Sequence, residues 1–290
     1  MAYRFYIGGT VQIWKFSMMD RIVDFHIHAG NPSDWHPWVM EFVSVVNPDA
    51  KDQLHQAQTQ DGLLAFMDDQ GVDHAVILAE TSPVTTGVVS NERVRGLCEG
   101  SDRLTPFASF HPLEVPDTGQ TVRDLAAQGF RGLKFYPSSQ FFFPDDPRLE
   151  DLYVEAVQHD MVVMFHTGTS IYRGSRQRFS EPLRIDDPAV DHPDLQIVMA
   201  HSGRRLWYEQ AFFMAERHDN VWMELSGIPP KRVPEVFPKL ARVGDRVLFG
   251  SDFPGVPSIR GNIETFRALP FDENLLDGIL HANAERLLGL

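Results

Sequence analysis

Eight short apolar stretches, each followed by sequence of helical character, recur along the chain at residues 22–30, 74–79, 104–110, 132–136, 162–166, 196–201, 221–225 and 247–252. After the first loop the unit repeats every ~25–35 residues, the length of one βα unit. Stretches that are apolar throughout, rather than alternating, are buried on both faces, as strands of a parallel sheet are. Helices are expected at 60–70, stopped by Gly71, at 91–100, at 121–128, stopped by Gly129, and at 148–159, 186–192, 206–217 and 230–242. A last helix over 275–288 would pack on the exterior. Eight such units close an α/β fold of the (β/α)8 or TIM barrel type in one domain. A doubly wound open sheet has no reason to contain eight units, and no glycine-rich phosphate loop follows the first strand.

The barrel is expected over 20–290 of the 290 residues, with 1–19 as an extension outside it. That extension reads either as a hairpin, 3–7 with 11–16 around Gly8-Gly9, or as sequence before a start at Met18 or Met19. It has no continuous apolar core of a signal peptide. Between Asn31 and Leu54 no periodic element is seen, so this segment is expected to be a lid or specificity loop, or a loop that Trp35 and Trp38 pack down.

A net charge of −14 argues against a nucleic-acid partner or an anionic membrane surface. No run of 18 apolar residues is present to span a bilayer. The single cysteine, Cys98, cannot form an internal disulfide, so a reducing compartment, the cytoplasm, is the expected setting.

In a barrel of this type the carboxyl ends of the strands carry the active site. His26 and His28 end the first strand; as residues i and i+2 they project together, which is half of a metal site. Lys134 and Tyr136 end the fourth, His166 the fifth, His201 the sixth and Asp252 the eighth. The last three each stand where an apolar strand meets a glycine-containing loop. Four histidines and an aspartate at one rim call for a common cause, and a bound cation supplies it. Arginines also group in the rim loops: Arg173, Arg176 and Arg178 after the fifth strand, Arg204 and Arg205 after the sixth. Arginine pairs well with carboxylates, so they either receive an acidic substrate or pair with Glu181, Asp186 or Glu209. Phe141-Phe142-Phe143 is either an apolar pocket wall or a patch for contact with a second copy of the chain.

These motifs, with Gly250-Ser251-Asp252-Phe253-Pro254 and the closing Asn283-Ala284-Glu285-Arg286, resemble those of the amidohydrolase superfamily. The likeness is strongest to the amidohydrolase-related branch, which holds aminocarboxymuconate-semialdehyde and resorcylate decarboxylases and dicarboxylate lactonases. The resemblance implies that His26, His28, His166 and Asp252 hold one divalent metal, zinc or manganese, with His201 beside it as acid, base or polarising group. Lys134 would be a carbamylated bridge to a second metal, a cation for a substrate carboxylate, or a structural lysine paired with a carboxylate; the one-metal relatives make the bridge the least expected. His111 is a candidate for the surroundings of the metal. The expected substrate contacts are Lys134, Tyr136, Arg173, Arg204 and Trp35. The expected reaction is hydrolysis of an ester, lactone or amide in a small molecule, with Asp252 taking the proton and His201 stabilising the oxyanion; the alternative is non-oxidative decarboxylation on the same residues. A barrel kept as a scaffold would not need five such rim residues.

Overall fold

The computed structural model describes residues 21–290 and the backbone of two short strands before them, Arg4–Ile7 and Thr10–Ile13. Those two strands pair antiparallel, with Ile7 opposite Thr10, in a sheet separate from the main one. The start expected at Met18 or Met19 lies outside the described residues.

Eight parallel strands follow: β1 (Val23–Ile27), β2 (His74–Leu78), β3 (Leu104–Ala108), β4 (Gly132–Phe135), β5 (Val162–Gly168), β6 (Ile197–Arg204), β7 (Val221–Glu224) and β8 (Val247–Leu248). Each pairs with its neighbours in chain order. The ring closes where the amide of Phe25 donates to Phe249 (3.0 Å) and that of His28 to Phe253 (2.9 Å). This is the (β/α)8 barrel that the eight apolar stretches predict.

Two apolar layers account for the runs without alternation. Val23, Phe25, Val76, Leu78, Phe107, Met164, Val198 and Leu248 fill the barrel interior, while Ile27, Ile77, Phe135, Phe165, Met199 and Phe249 face the outer layer of helices. Both strand faces are therefore out of water, which is the main stabilising contribution to such a fold. The outer helices include Gln60–Gln70, Asn91–Cys98, Thr118–Ala127, Glu150–Gln158, Asp186–Asp191 and Tyr208–Arg217. Local chemistry sets their ends: the Thr59 side chain accepts from the Gly62 amide, and Gly71 closes the same helix in the left-handed conformation (φ 76°).

Three expectations are corrected. The segment after β1 contains two helices, Pro37–Val46 and Ala50–Gln56. The first is apolar on nearly every side, burying Val39, Met40 and Val43 while Phe42 and Val45 stay exposed, so it shows no helical period. The helix expected at 230–242 is broken into Pro230–Arg232, Val233–Val236 and Leu240–Arg246, because Pro234 and Pro238 interrupt the amide ladder. The last helix runs from Glu273 with a π-turn over Gly278–Ala282. Its Ala284 and Leu288 join the interior cluster, and the Leu288 carbonyl accepts from Arg131, just before β4, so it closes the barrel's lower end.

Candidate metal centre

Strict alternation along β1 would send His26 outward, because Val23 and Phe25 point into the barrel. The register shows why it does not. Asp24 pairs with Ala75 but Ile27 with Ile77, so β1 carries one extra residue, a bulge that reverses the phase. His26 and His28 then line the cavity at the carboxyl end while Ile27 joins the outer core. On β6 the same reversal takes a run of left-handed residues, His201 (φ 64°), Ser202 (φ 44°) and Gly203 (φ 71°). Asp252 is left-handed too (φ 61°). Such backbone costs on the order of 1–3 kcal/mol per non-glycine residue and persists where surrounding contacts over-determine it.

The contacts that do so come from buried carboxylates. Asp24 Oδ1 accepts from the amides of His26 (3.0 Å) and Ser251 (2.9 Å), tying the bulge of β1 to the residue before Asp252. Glu224, at the end of β7 and fully buried, is the larger hub. Its Oε1 accepts from the Ser226 amide (2.6 Å), and its Oε2 accepts from His26 Nδ1 (3.0 Å), Ser226 Oγ (2.9 Å) and the His201 amide (3.2 Å). Gly250 makes this approach possible, since a Cβ there would lie 2.2 Å from Glu224 Oε1. Neither carboxylate is among the residues singled out from the sequence. The signal was present: Asp24 and Glu224 are charged residues inside apolar strands.

With its Nδ1–H given to Glu224, a neutral His26 presents an Nε2 lone pair. That atom lies 3.2 Å from His28 Nε2 and 3.4 Å from Asp252 Oδ1, and His28 Nε2 lies 3.6 Å from the same oxygen. Ligands held ~2.0–2.2 Å from a tetrahedral divalent centre stand about 3.3–3.6 Å apart, so the three edges match those of a shared cation. His166 lines the same cavity with its ring centroid 4.7 Å from that of His201, and its Nε2 is buried without a hydrogen-bond partner. Three converging donors and one orphaned buried imidazole nitrogen fit a divalent metal.

Electrostatics point the same way. Burial pushes His26, His166 and His201 well below the ordinary imidazole value, with neighbouring cations adding to the effect, so all three stand neutral as metal ligands must. Burial alone would raise Asp252, but a hydrogen bond from His28 and the Arg204 guanidinium pull the other way, and the carboxyl stands well below its usual range. His201 Nδ1 lies 3.2 Å from the Ser226 carbonyl and 2.8 Å from Ser226 Oγ. A carbonyl only accepts, so Nδ1 carries the proton and Nε2 is left as an acceptor.

The remaining predicted residues divide. Trp35, Tyr136 and Arg204 line the cavity. Trp35 Nε1 donates to Glu80 (3.0 Å), and the Tyr136 hydroxyl donates to the Ala79 carbonyl (2.9 Å). Arg204 Nη1 lies 3.6 Å from Asp252 Oδ2, and its Nη2 donates to Thr169 (3.2 Å). Lys134 is fully buried below the rim with no hydrogen-bond partner for Nζ, so it is not paired with a carboxylate; burial lowers its pKa against the pull of Glu224, Asp252 and Glu80. Arg173 stacks over Trp38 instead of lining the cavity. His111 contacts Leu113 and Glu114 in its own turn. Phe142 is packed between Phe135 and Phe165, and Phe141 and Phe143 lie on Phe179, so this run is not a wall of the cavity. Among the described residues no helix is long and apolar enough to cross a membrane.

A (β/α)8 barrel with neutral histidines and a carboxylate converging at the carboxyl ends of β1, β5 and β8 is the framework of a metal-dependent enzyme. The chain matches the amidohydrolase family over residues 23–290 and belongs to it. No curated protein matches it. Among solved structures it is similar to an uncharacterised TIM-barrel protein from Bordetella bronchiseptica (23% identity, 93% of this chain and 98% of that one, TM-score 0.76). It is also similar to 2,6-dihydroxybenzoate decarboxylase from Rhizobium (20% identity, 93% and 99%, TM-score 0.68). A third is a probable 2-pyrone-4,6-dicarboxylic acid hydrolase from Acinetobacter baumannii (16% identity, 93% and 100%, TM-score 0.66). At these identities the three share the barrel with this chain.

Proposed function

We propose that this chain is a metal-dependent hydrolase acting on an ester, lactone or amide bond of a small acidic molecule. The observation that carries the reading is the triangle of His26 Nε2, His28 Nε2 and Asp252 Oδ1, with edges of 3.2, 3.4 and 3.6 Å. His26, His28, His166 and Asp252 are the residues that would hold one divalent ion. With three imidazoles and one carboxylate as donors, zinc is the first choice and manganese the second. Such an ion supplies Lewis-acid polarisation of a substrate oxygen and acidifies water beside it.

The protein's own groups manage the protons. Asp252, held as a carboxylate, accepts a proton from the attacking water as the water oxygen bonds to the carbonyl carbon. That proton passes to His201 Nε2, an acceptor in its tautomer, and from there to the leaving oxygen or nitrogen as the acyl bond breaks, which returns Asp252 to the carboxylate. Glu224 and Ser226 keep the two imidazoles in these tautomers.

Decarboxylation is the second reading, favoured by the likeness to the Rhizobium decarboxylase. It would use the same residues, with a neighbouring acid protonating the carbon that loses carbon dioxide. A screen of lactones, esters and hydroxybenzoates in H2(18)O decides between them. Incorporation of the label into product supports hydrolysis, and release of carbon dioxide without incorporation overturns it.

A further inference from the structure

The cavity walls come from four sides of the ring, and their chemistry differs. Arg204 is the last residue of β6, and Glu80 stands two residues beyond β2. In a closed ring of eight strands in chain order, β2 and β6 are four strands apart, so these two line the cavity from opposite sides. Between them on the β8–β1 side lie Val39, Met40 and Pro254, and on the β4–β5 side Ser138, Ser170 and Tyr172.

The two charged walls are built differently. Arg204 lies over Gly227, where a Cβ would come within 2.2 Å of Nη1, and its contacts to Thr169 and Asp252 leave other guanidinium N–H groups free to donate. Glu80 is buried, with 5% of its surface exposed, and both oxygens already accept: Oε2 from Trp35 Nε1 and Oε1 from the Thr86 hydroxyl. These donors fix it as an acceptor with no means of turning away.

We infer that the site takes a small apolar-bodied acid with a single carboxylate, seated at Arg204, and that Glu80 is a specificity residue that rejects a second carboxylate at the far end. This deepens the hydrolase reading and rests on its metal centre. An anion brought to the β2 side would face a fixed like charge in a partly dry cavity, which costs affinity, whereas a hydroxyl or amino group there would donate to Glu80. The other rim arginines offer no second anion seat. Arg173 stacks on Trp38, Arg176 on Phe141 and Arg178 on Phe179, and Arg205 is exposed, all four outside the cavity lining.

The test is calorimetry on zinc-loaded protein with benzoate, 3-aminobenzoate and benzene-1,3-dicarboxylate. The two monoacids should bind, 3-aminobenzoate at least as well as benzoate, and the diacid about tenfold or more weaker. Arg204→Gln should weaken benzoate by about tenfold. Glu80→Gln, whose amide can still accept from Trp35 and donate to Thr86, should bring the diacid to within about threefold of benzoate. Equal binding of mono- and diacid by the wild type overturns the inference, as does an unchanged ratio in Glu80→Gln or failure of all three ligands to bind protein shown to hold its metal. The wild-type comparison stands alone if a variant does not fold. Failure of the hydrolase reading would show separately, as turnover without water incorporation with these ligand preferences intact.

Discussion

His74 and His166 occupy the two ends of the barrel, and both are buried imidazoles that burial pushes below their ordinary pKa. At the lower end, where β2 begins, His74 Nε2 bonds Thr105 Oγ1 at 2.8 Å. At the rim, His166 Nε2 is equally dry and has no partner. A buried polar atom left unsatisfied costs about 1–3 kcal/mol, so the same side chain is satisfied at one end and left without a partner at the other. What separates them is the company at the site. His74 meets the Thr105 hydroxyl and the Asp102 backbone, whereas His166 shares its cavity with His26, His28, His201 and Asp252.

The contrast breaks first on catalysis. Asp252→Asn should keep the fold by circular dichroism and lower kcat by about 10³-fold on the best substrate of the panel; activity within tenfold of wild type would remove Asp252 from proton transfer. Next comes the metal. Excess zinc should raise the Tm of the wild type, by the equivalent of about 2.7 kcal/mol when the ion is at a hundred times its Kd. His166→Ala should lose most of that rise and His74→Ala should retain it, so equal behaviour of the two variants would erase the distinction between the barrel's ends.

Glu224→Gln should weaken metal affinity by about 10–100-fold in a chelator competition, through loss of the acceptor that orients His26. An unchanged affinity would reduce Glu224 to packing. The smallest effect is on acid stability. His74 titrates at about 4 in the folded chain against an ordinary 6.5. Between those values the unfolded chain binds a proton that folded His74 refuses, so stability falls as pH drops from about 6.5 to 4. His74→Gln should flatten the slope of urea-unfolding free energy in that window; an unchanged slope would show that His74 is not one of its sources.

Much of this was legible in the residues. Apolar strands without alternation announce burial on both faces, and eight of them separated by helical sequence leave one closed parallel architecture. His26 and His28 share a face because they are two residues apart. The apolar helix Pro37–Val46 escaped notice because periodicity needs polar contrast, and Glu80 and Glu224 did because a charge within or just beyond an apolar strand has no meaning until its partners are known.

The amino-acid sequence by itself determined the barrel, its order and the types of residue at its rim, since these follow from local propensity and a repeating hydrophobic pattern. Only the tertiary structure decided which way the rim residues face. The bulge in β1 and the left-handed turn at His201 are both held by Glu224 from β7, which reaches His26 across 198 residues of chain. A side chain's direction there depends on partners that become neighbours only once the ring has closed.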